Sequence, residues 1–156
     1  GVLLLTWNNA LYRYGSFDFD ALETVLRENM KNLAAYRDRN ILSFTIADEE
    51  PVRALFNAFL DALKIADGKS KGTRSPVAVS KALHLLAPAF FPLWDNRIAR
   101  GYGCHYSGNP GAKYLQFMTI SKEIAEAITG SVDTGGTTLL KMIDEYNYAT
   151  FTKKWI

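Results

Sequence analysis

From Val52 to Leu63 the apolar residues Val52, Leu55, Phe56, Phe59, Leu60 and Leu63 recur three or four positions apart. That spacing lines one face of an α-helix and no face of a strand. Asp48 is expected to cap this helix, with Pro51 in its first turn, where a missing N–H costs nothing. The same periodicity in Leu22, Val25, Leu26, Met30 and Leu33 predicts a helix from a cap at Asp18 or Asp20 to about Arg39. Trp7, Leu11 and Tyr14 place another between Leu3 and Tyr14. Further helices are predicted over about 76–87, 95–102, 112–128 and 134–148, punctuated by Pro88, the glycine-rich turn Gly101–Gly111 and Gly130. Ile41 to Ile46 is the only short strand candidate. The pattern predicts a single all-α domain over residues 1–156.

Composition narrows the class. The chain's 156 residues, 48% hydrophobic and 22% charged, are enough for one domain with a hydrophobic core and argue against disorder. No apolar run reaches bilayer-spanning length and no signal segment opens the chain, so no membrane association is expected. Gly1 is not a native initiator, so the sequence is expected to begin at a tag scar or at the edge of an excised fragment, the second of which would leave a native N-terminal segment outside it. Cys104 is the only cysteine. It excludes an internal disulfide and a cysteine-based metal centre, and it fits a reducing cytoplasm. No metal and no cofactor are expected. His105 beside Cys104 offers too few ligands, and Gly68-Lys69-Ser70 lacks the preceding glycine and strand of a phosphate-binding loop.

The net charge of +2 conceals an uneven distribution. Residues 64–122 hold nine Lys/Arg against two Asp/Glu, whereas residues 1–63 hold six against nine and residues 123–156 three against five. A basic middle third is the electrostatic footprint of a phosphate-bearing partner. Lys69, Lys71 and Arg74 on a glycine-bearing loop, with Arg97 and Arg100, are the candidate phosphate contacts.

The same third contains the chain's most specific pattern. Ser75-Pro76-Val77-Ala78-Val79-Ser80-Lys81-Ala82 opens an apolar helix with a serine cap and a proline at its first position. Fourteen positions after Lys81, Asp95 in Leu93-Trp94-Asp95-Asn96-Arg97-Ile98-Ala99-Arg100 precedes a second helix. These segments resemble the hairpin Leu-Pro-Gly-Val-Gly-x-Lys-Thr-Ala and the downstream Val-Asp-Thr-His-Ile-x-Arg of the helix-hairpin-helix DNA glycosylase superfamily. Proline and lysine fall in register in the first, and aspartate, isoleucine and arginine in the second. The resemblance covers about 26 residues closely. Val77 and Val79 stand where the family has hairpin glycines, and the lysine-to-aspartate interval is shorter by about one helical turn.

The resemblance implies the helix-hairpin-helix glycosylase fold and base excision from double-stranded DNA. Lys81 would be the nucleophile at the anomeric carbon of a flipped nucleotide, and Asp95 the catalytic carboxylate. Physical chemistry agrees with that division. An amine partly buried among Val77, Val79, Leu83 and Leu85 has a lowered pKa and more of its neutral, nucleophilic form, while a helix N-terminus favours an ionised aspartate. Trp94 and Tyr102 are the candidate base-stacking residues, with Phe90, Phe91 and Tyr106 nearby. The bland alternatives are a surface lysine, a helix-capping aspartate and a hydrogen-bonded core histidine at position 84. On those readings the chain is a non-catalytic helical module that binds nucleic acid or another protein. Sequence leaves the oligomeric state open.

Overall fold

The computed structural model describes residues 2–13 and 15–156. Among them the regular structure is helical and no strand is formed; Phe17 and Ile65 make one isolated antiparallel bridge. The elements in chain order are α1 (Val2–Trp7), α2 (Asn9–Tyr12), α3 (Phe19–Glu28), α4 (Met30–Arg37), a 3₁₀ turn (Ile41–Ser43), α5 (Ile46–Ala62), α6 (Pro76–Leu86), α7 (Asn96–Gly101), α8 (Pro110–Ile128) and α9 (Leu139–Asn147). A π-helical turn, Tyr148–Lys153, continues α9. No described helix is long and apolar enough to cross a membrane.

Side-chain caps set most of the starts. Asp18 accepts from the Asp20 and Ala21 N–H groups, Ser75 from Ala78, Asp95 from Ile98, Asn109 from Ala112 and Thr138 from Lys141. Two predicted helices are divided. The segment 3–14 breaks at buried Asn8, whose side-chain amide donates to the Leu4 carbonyl, and Tyr14 lies outside the described residues. The segment 18–39 breaks at Asn29, whose side chain donates to the Val25 carbonyl at 2.9 Å and competes with the helical ladder. Met30, expected on the apolar stripe, is consequently exposed, while Leu22 and Leu33 remain buried.

α5 starts three residues earlier than its sequence implies. Thr45 is the N-cap, and Asp48 is the third helical residue of a capping box, accepting from the Thr45 N–H at 2.8 Å. Pro51 therefore lies in the second turn, and the Ala47 carbonyl loses its intrahelical donor there. Asp48 also closes on Arg39 through two hydrogen bonds of 2.6 and 2.8 Å, which ties the start of α5 to the end of α4. Residues 41–43 form the 3₁₀ turn rather than a strand because the Asn40 side chain caps the Leu42 N–H and the Ser43 hydroxyl turns back to the Asn40 carbonyl.

α5 is the centre of the packing, with α3, α6 and α8 against it and α9 against α8. Phe56, Phe59, Val79, Leu83, Phe90, Phe91, Trp94, Tyr114, Phe117 and Met118 form the buried interior. Gly111 lets α8 approach α5 closely: a Cβ there would fall 2.9 Å from the Asn57 side-chain oxygen. Gly101 does the same for the C-terminal turn, since a Cβ on it would overlap the Phe151 ring. Burying this interior at roughly 25 cal/mol per Å² of apolar surface is the main force holding the helices together.

Candidate functional site

The segment between α6 and α7 is anchored to α6 by polar contacts to its backbone. The buried Ser80 hydroxyl lies 3.0 Å from the carbonyls of both Val77 and Trp94, and it accepts the Trp94 N–H at 3.3 Å. One turn on, His84 donates from Nδ1 to the Phe91 carbonyl at 2.8 Å. From α8, the buried Tyr114 hydroxyl donates to the Pro92 carbonyl at 2.9 Å. These contacts return the chain sharply onto α6 after Pro88 and fix where Asp95 begins α7.

The result is a hollow of about 320 Å³ lined by Trp7, Lys81, Leu93, Trp94, Asp95, Ile98, Asp144 and Tyr148. Its size is at the small end of the ~300–1,000 Å³ range of ligand clefts. Lys81 and Asp95 both face it and do not pair with each other. The Lys81 ammonium donates to the Trp7 carbonyl at 2.9 Å and lies 5.0 Å from the centroid of the Trp7 ring. Burial lowers the Lys81 pKa below that of an ordinary lysine, and the nearby Asp95 charge opposes this in part. One Asp95 oxygen is held by the Ile98 N–H at 2.8 Å, and the other lies 3.5 Å from the Thr152 hydroxyl.

Other sequence candidates lie elsewhere or are occupied. Trp94 is 1% exposed, wedged among Phe56, Tyr106, Tyr114 and Phe117. It is a floor of the hollow and has no free face on which a base could stack. Tyr102 is also no open platform: its hydroxyl donates to Asn147 at 2.6 Å, and its ring meets Phe151 edge-on at 5.1 Å. Phe90 and Phe91 are fully buried. Arg74 is exposed but paired with Asp61, donating from Nε at 2.9 Å. With Lys71 it lines a separate, open hollow between α3, α5 and the loop, whose charges are of both signs. Lys69 is exposed on that loop. Arg97 donates to the Thr152 carbonyl at 2.6 Å and Arg100 to the Asn96 side chain at 2.7 Å, both at the rim of α7. Among the described residues no group of three or more His, Cys, Asp or Glu could hold a metal ion.

Three residues that line the hollow were not among the site candidates read from the sequence. Trp7 reaches Lys81 across 74 positions, a contact with no local signature. Tyr148 belongs to the π-helical turn that Gly101 admits. Asp144 did leave a trace: it falls on the same helical stripe as the buried residues Leu140, Ile143 and Asn147.

No family profile matches this chain, and neither a curated protein nor a solved structure matches it significantly.

Proposed function

We propose that this chain is a diverged helix-hairpin-helix DNA glycosylase with lyase chemistry, acting on a nucleotide flipped from double-stranded DNA. The observation that carries the reading is the shared hollow: a half-buried lysine and a helix-capping aspartate face one space without pairing with each other. A larger neutral fraction makes the Lys81 amine a better nucleophile near neutral pH. The Asp95 carboxylate lines the same hollow, and its role is to stabilise positive charge developing on the sugar. The arrangement of a capped helix bearing the lysine, a tight return and an aspartate-capped helix parallels that superfamily's order. Arg97 and Arg100, on the helix that Asp95 caps, are the candidate cations for flanking phosphates.

A second reading has one specific observation in its favour. Val77 and Val79 lie inside the first turns of α6, and Val79 is wholly buried, so this helix start has no glycine to let a phosphate close to its backbone. On that reading the fold is a non-catalytic module that touches nucleic acid or another protein through its basic surface.

The discriminating experiment is cleavage of a duplex at an abasic site, compared with Lys81→Ala and Asp95→Asn. The enzyme reading expects strand cleavage that both substitutions reduce by about a hundredfold or more. Duplex binding without cleavage in the wild-type protein supports the second reading.

A further inference from the structure

α9 brings a third ionisable side chain to the hollow. Asp144 sits one turn after Leu140 and one turn before Asn147, both buried, so its carboxyl rides on the inward stripe of the helix. It lines the hollow beside Tyr148, is half-buried, and has neither a hydrogen-bond nor an ion-pair partner among the described residues. Several other aspartates have evident structural work. Asp18 and Asp95 cap helices, Asp48 holds Arg39, Asp61 pairs with Arg74, and Asp67 accepts from the Ser16 N–H. A half-buried carboxyl without a protein partner gives up part of its hydration for no compensating contact, so its presence on the wall of a hollow asks for a chemical reason.

Its surroundings shift its titration upward. Burial raises the Asp144 pKa above the usual carboxylate value; Lys141 and His84 pull it back down, while Asp95 and Glu145 add to the rise. Lys141 and Glu145 belong to its own helix, His84 and Lys81 face it from α6, and Asp95 from the start of α7. Neither α8 nor the C-terminal turn places a charged residue on the wall; the turn places Tyr148 there.

We propose that Asp144 is a general acid that protonates the departing nucleobase, so that the substrate class is a nucleotide bearing a neutral base rather than a cationic, alkylated one. The proposal rests on the reading of Lys81 and Asp95 given above. A neutral base released without a proton leaves as an anion, whereas a base already carrying positive charge leaves neutral with no acid at all. Here the Asp144 O–H bond breaks and its proton passes to a ring nitrogen or exocyclic oxygen of the base. The C1′–N bond breaks, its electron pair stays on the base, and the base departs neutral. The Lys81 amine gives its lone pair to C1′, and the proton it then sheds restores the Asp144 acid. No further reactant is required. Positioned acids of this kind contribute roughly 10²–10⁴-fold.

The test compares the wild-type protein with Asp144→Asn on three otherwise identical sets of duplexes. The first carries a neutral target (uracil, hypoxanthine or 8-oxoguanine), the second N7-methylguanine, and the third an abasic site trapped with borohydride. Thermal unfolding of both proteins verifies that each is folded. The expected result is a loss of about a hundredfold in neutral-base release, with a loss of under about tenfold in abasic-site trapping, where no base remains to be protonated. Asp144→Glu is expected to recover part of the release. Equal losses in neutral-base release and in abasic-site trapping overturn the proposal, because they mark a structural role. Unaltered base release in Asp144→Asn overturns it while leaving Lys81 and Asp95 in place. Wild-type protein that traps on abasic sites but releases only N7-methylguanine overturns the choice of leaving group. Wild-type protein that neither releases a base nor traps defeats the parent reading, and this one with it.

Discussion

Lys81 and Trp7 meet twice across 74 positions of sequence: the ammonium donates to the Trp7 carbonyl at 2.9 Å and lies 5.0 Å from the centroid of its ring. α1 thereby roofs the amine, and the roof is one source of the burial that lowers its pKa.

That lowering has a sign that equilibrium unfolding reads. The folded state releases the Lys81 proton at lower pH than the unfolded chain, whose lysine titrates near 10.5. Its stabilising share is therefore missing at neutral pH. It grows as pH rises through the folded value toward the unfolded one. Lys81→Met keeps the stem and removes the titration. Urea unfolding of the two proteins from pH 7 to 10.5 should show wild type gaining on Lys81→Met as pH rises. Taking the difference between the two cancels the contribution of tyrosines common to both. A flat difference contradicts the shift.

Ser80 is the link between the two candidate catalytic residues, since its hydroxyl joins α6 to the backbone of Trp94, next to Asp95. Ser80→Ala leaves buried backbone groups without their partner and should cost about 1–3 kcal/mol of stability in urea unfolding. Abasic-site cleavage by the folded fraction should fall too, because Asp95 loses its fixed register against Lys81. Intact cleavage in a destabilised protein would separate the fold's needs from the site's.

Asp48 holds Arg39 and the first turn of α5 together. The Arg39 guanidinium keeps its carboxyl below the usual 3.8, with the Thr45 donors adding to the effect. Its stabilisation is present above the unfolded value and is lost as pH falls through the folded one. Asp48→Asn should therefore lose about 2–4 kcal/mol at pH 7, with the deficit shrinking in acid below the folded value. Urea titrations at pH 7 and in acid check both arms.

The basic loop is tested by salt. Lys69 and Lys71 are exposed without partners among the described residues, whereas Arg74 is already engaged by Asp61. If the duplex runs over this loop, Lys69→Ala and Lys71→Ala should each reduce the slope of log K against log salt by about 0.9. Arg74→Ala should reduce it less. Unchanged slopes would move the DNA path away from the loop and toward Arg97 and Arg100.

What was legible in the sequence was local. Ser75 and Asp95 announce their caps because a cap needs only a side-chain oxygen and an N–H two or three residues on. The α5 stripe is legible because one face of one helix repeats along a single chain segment. The misplacements come from competition between neighbours. Asp48 looked like a cap but serves Thr45 and Arg39, and Asn29 diverted its side chain to the backbone and split a periodic helix. Trp94 shows a different limit: its type suits base stacking equally well inside or outside the core, and only the rings of Phe56, Tyr106 and Tyr114 around it decide. The hollow itself needed the long-range returns of α1 and α9, which no local spacing encodes.

The central claim is that Lys81 is a nucleophile. The most direct measurement is borohydride trapping on a duplex with an abasic site, followed by mass spectrometry of the cross-linked peptide. The account predicts a covalent adduct on Lys81 that disappears in Lys81→Ala. An adduct on another lysine, or an equal yield from Lys81→Ala, would contradict it.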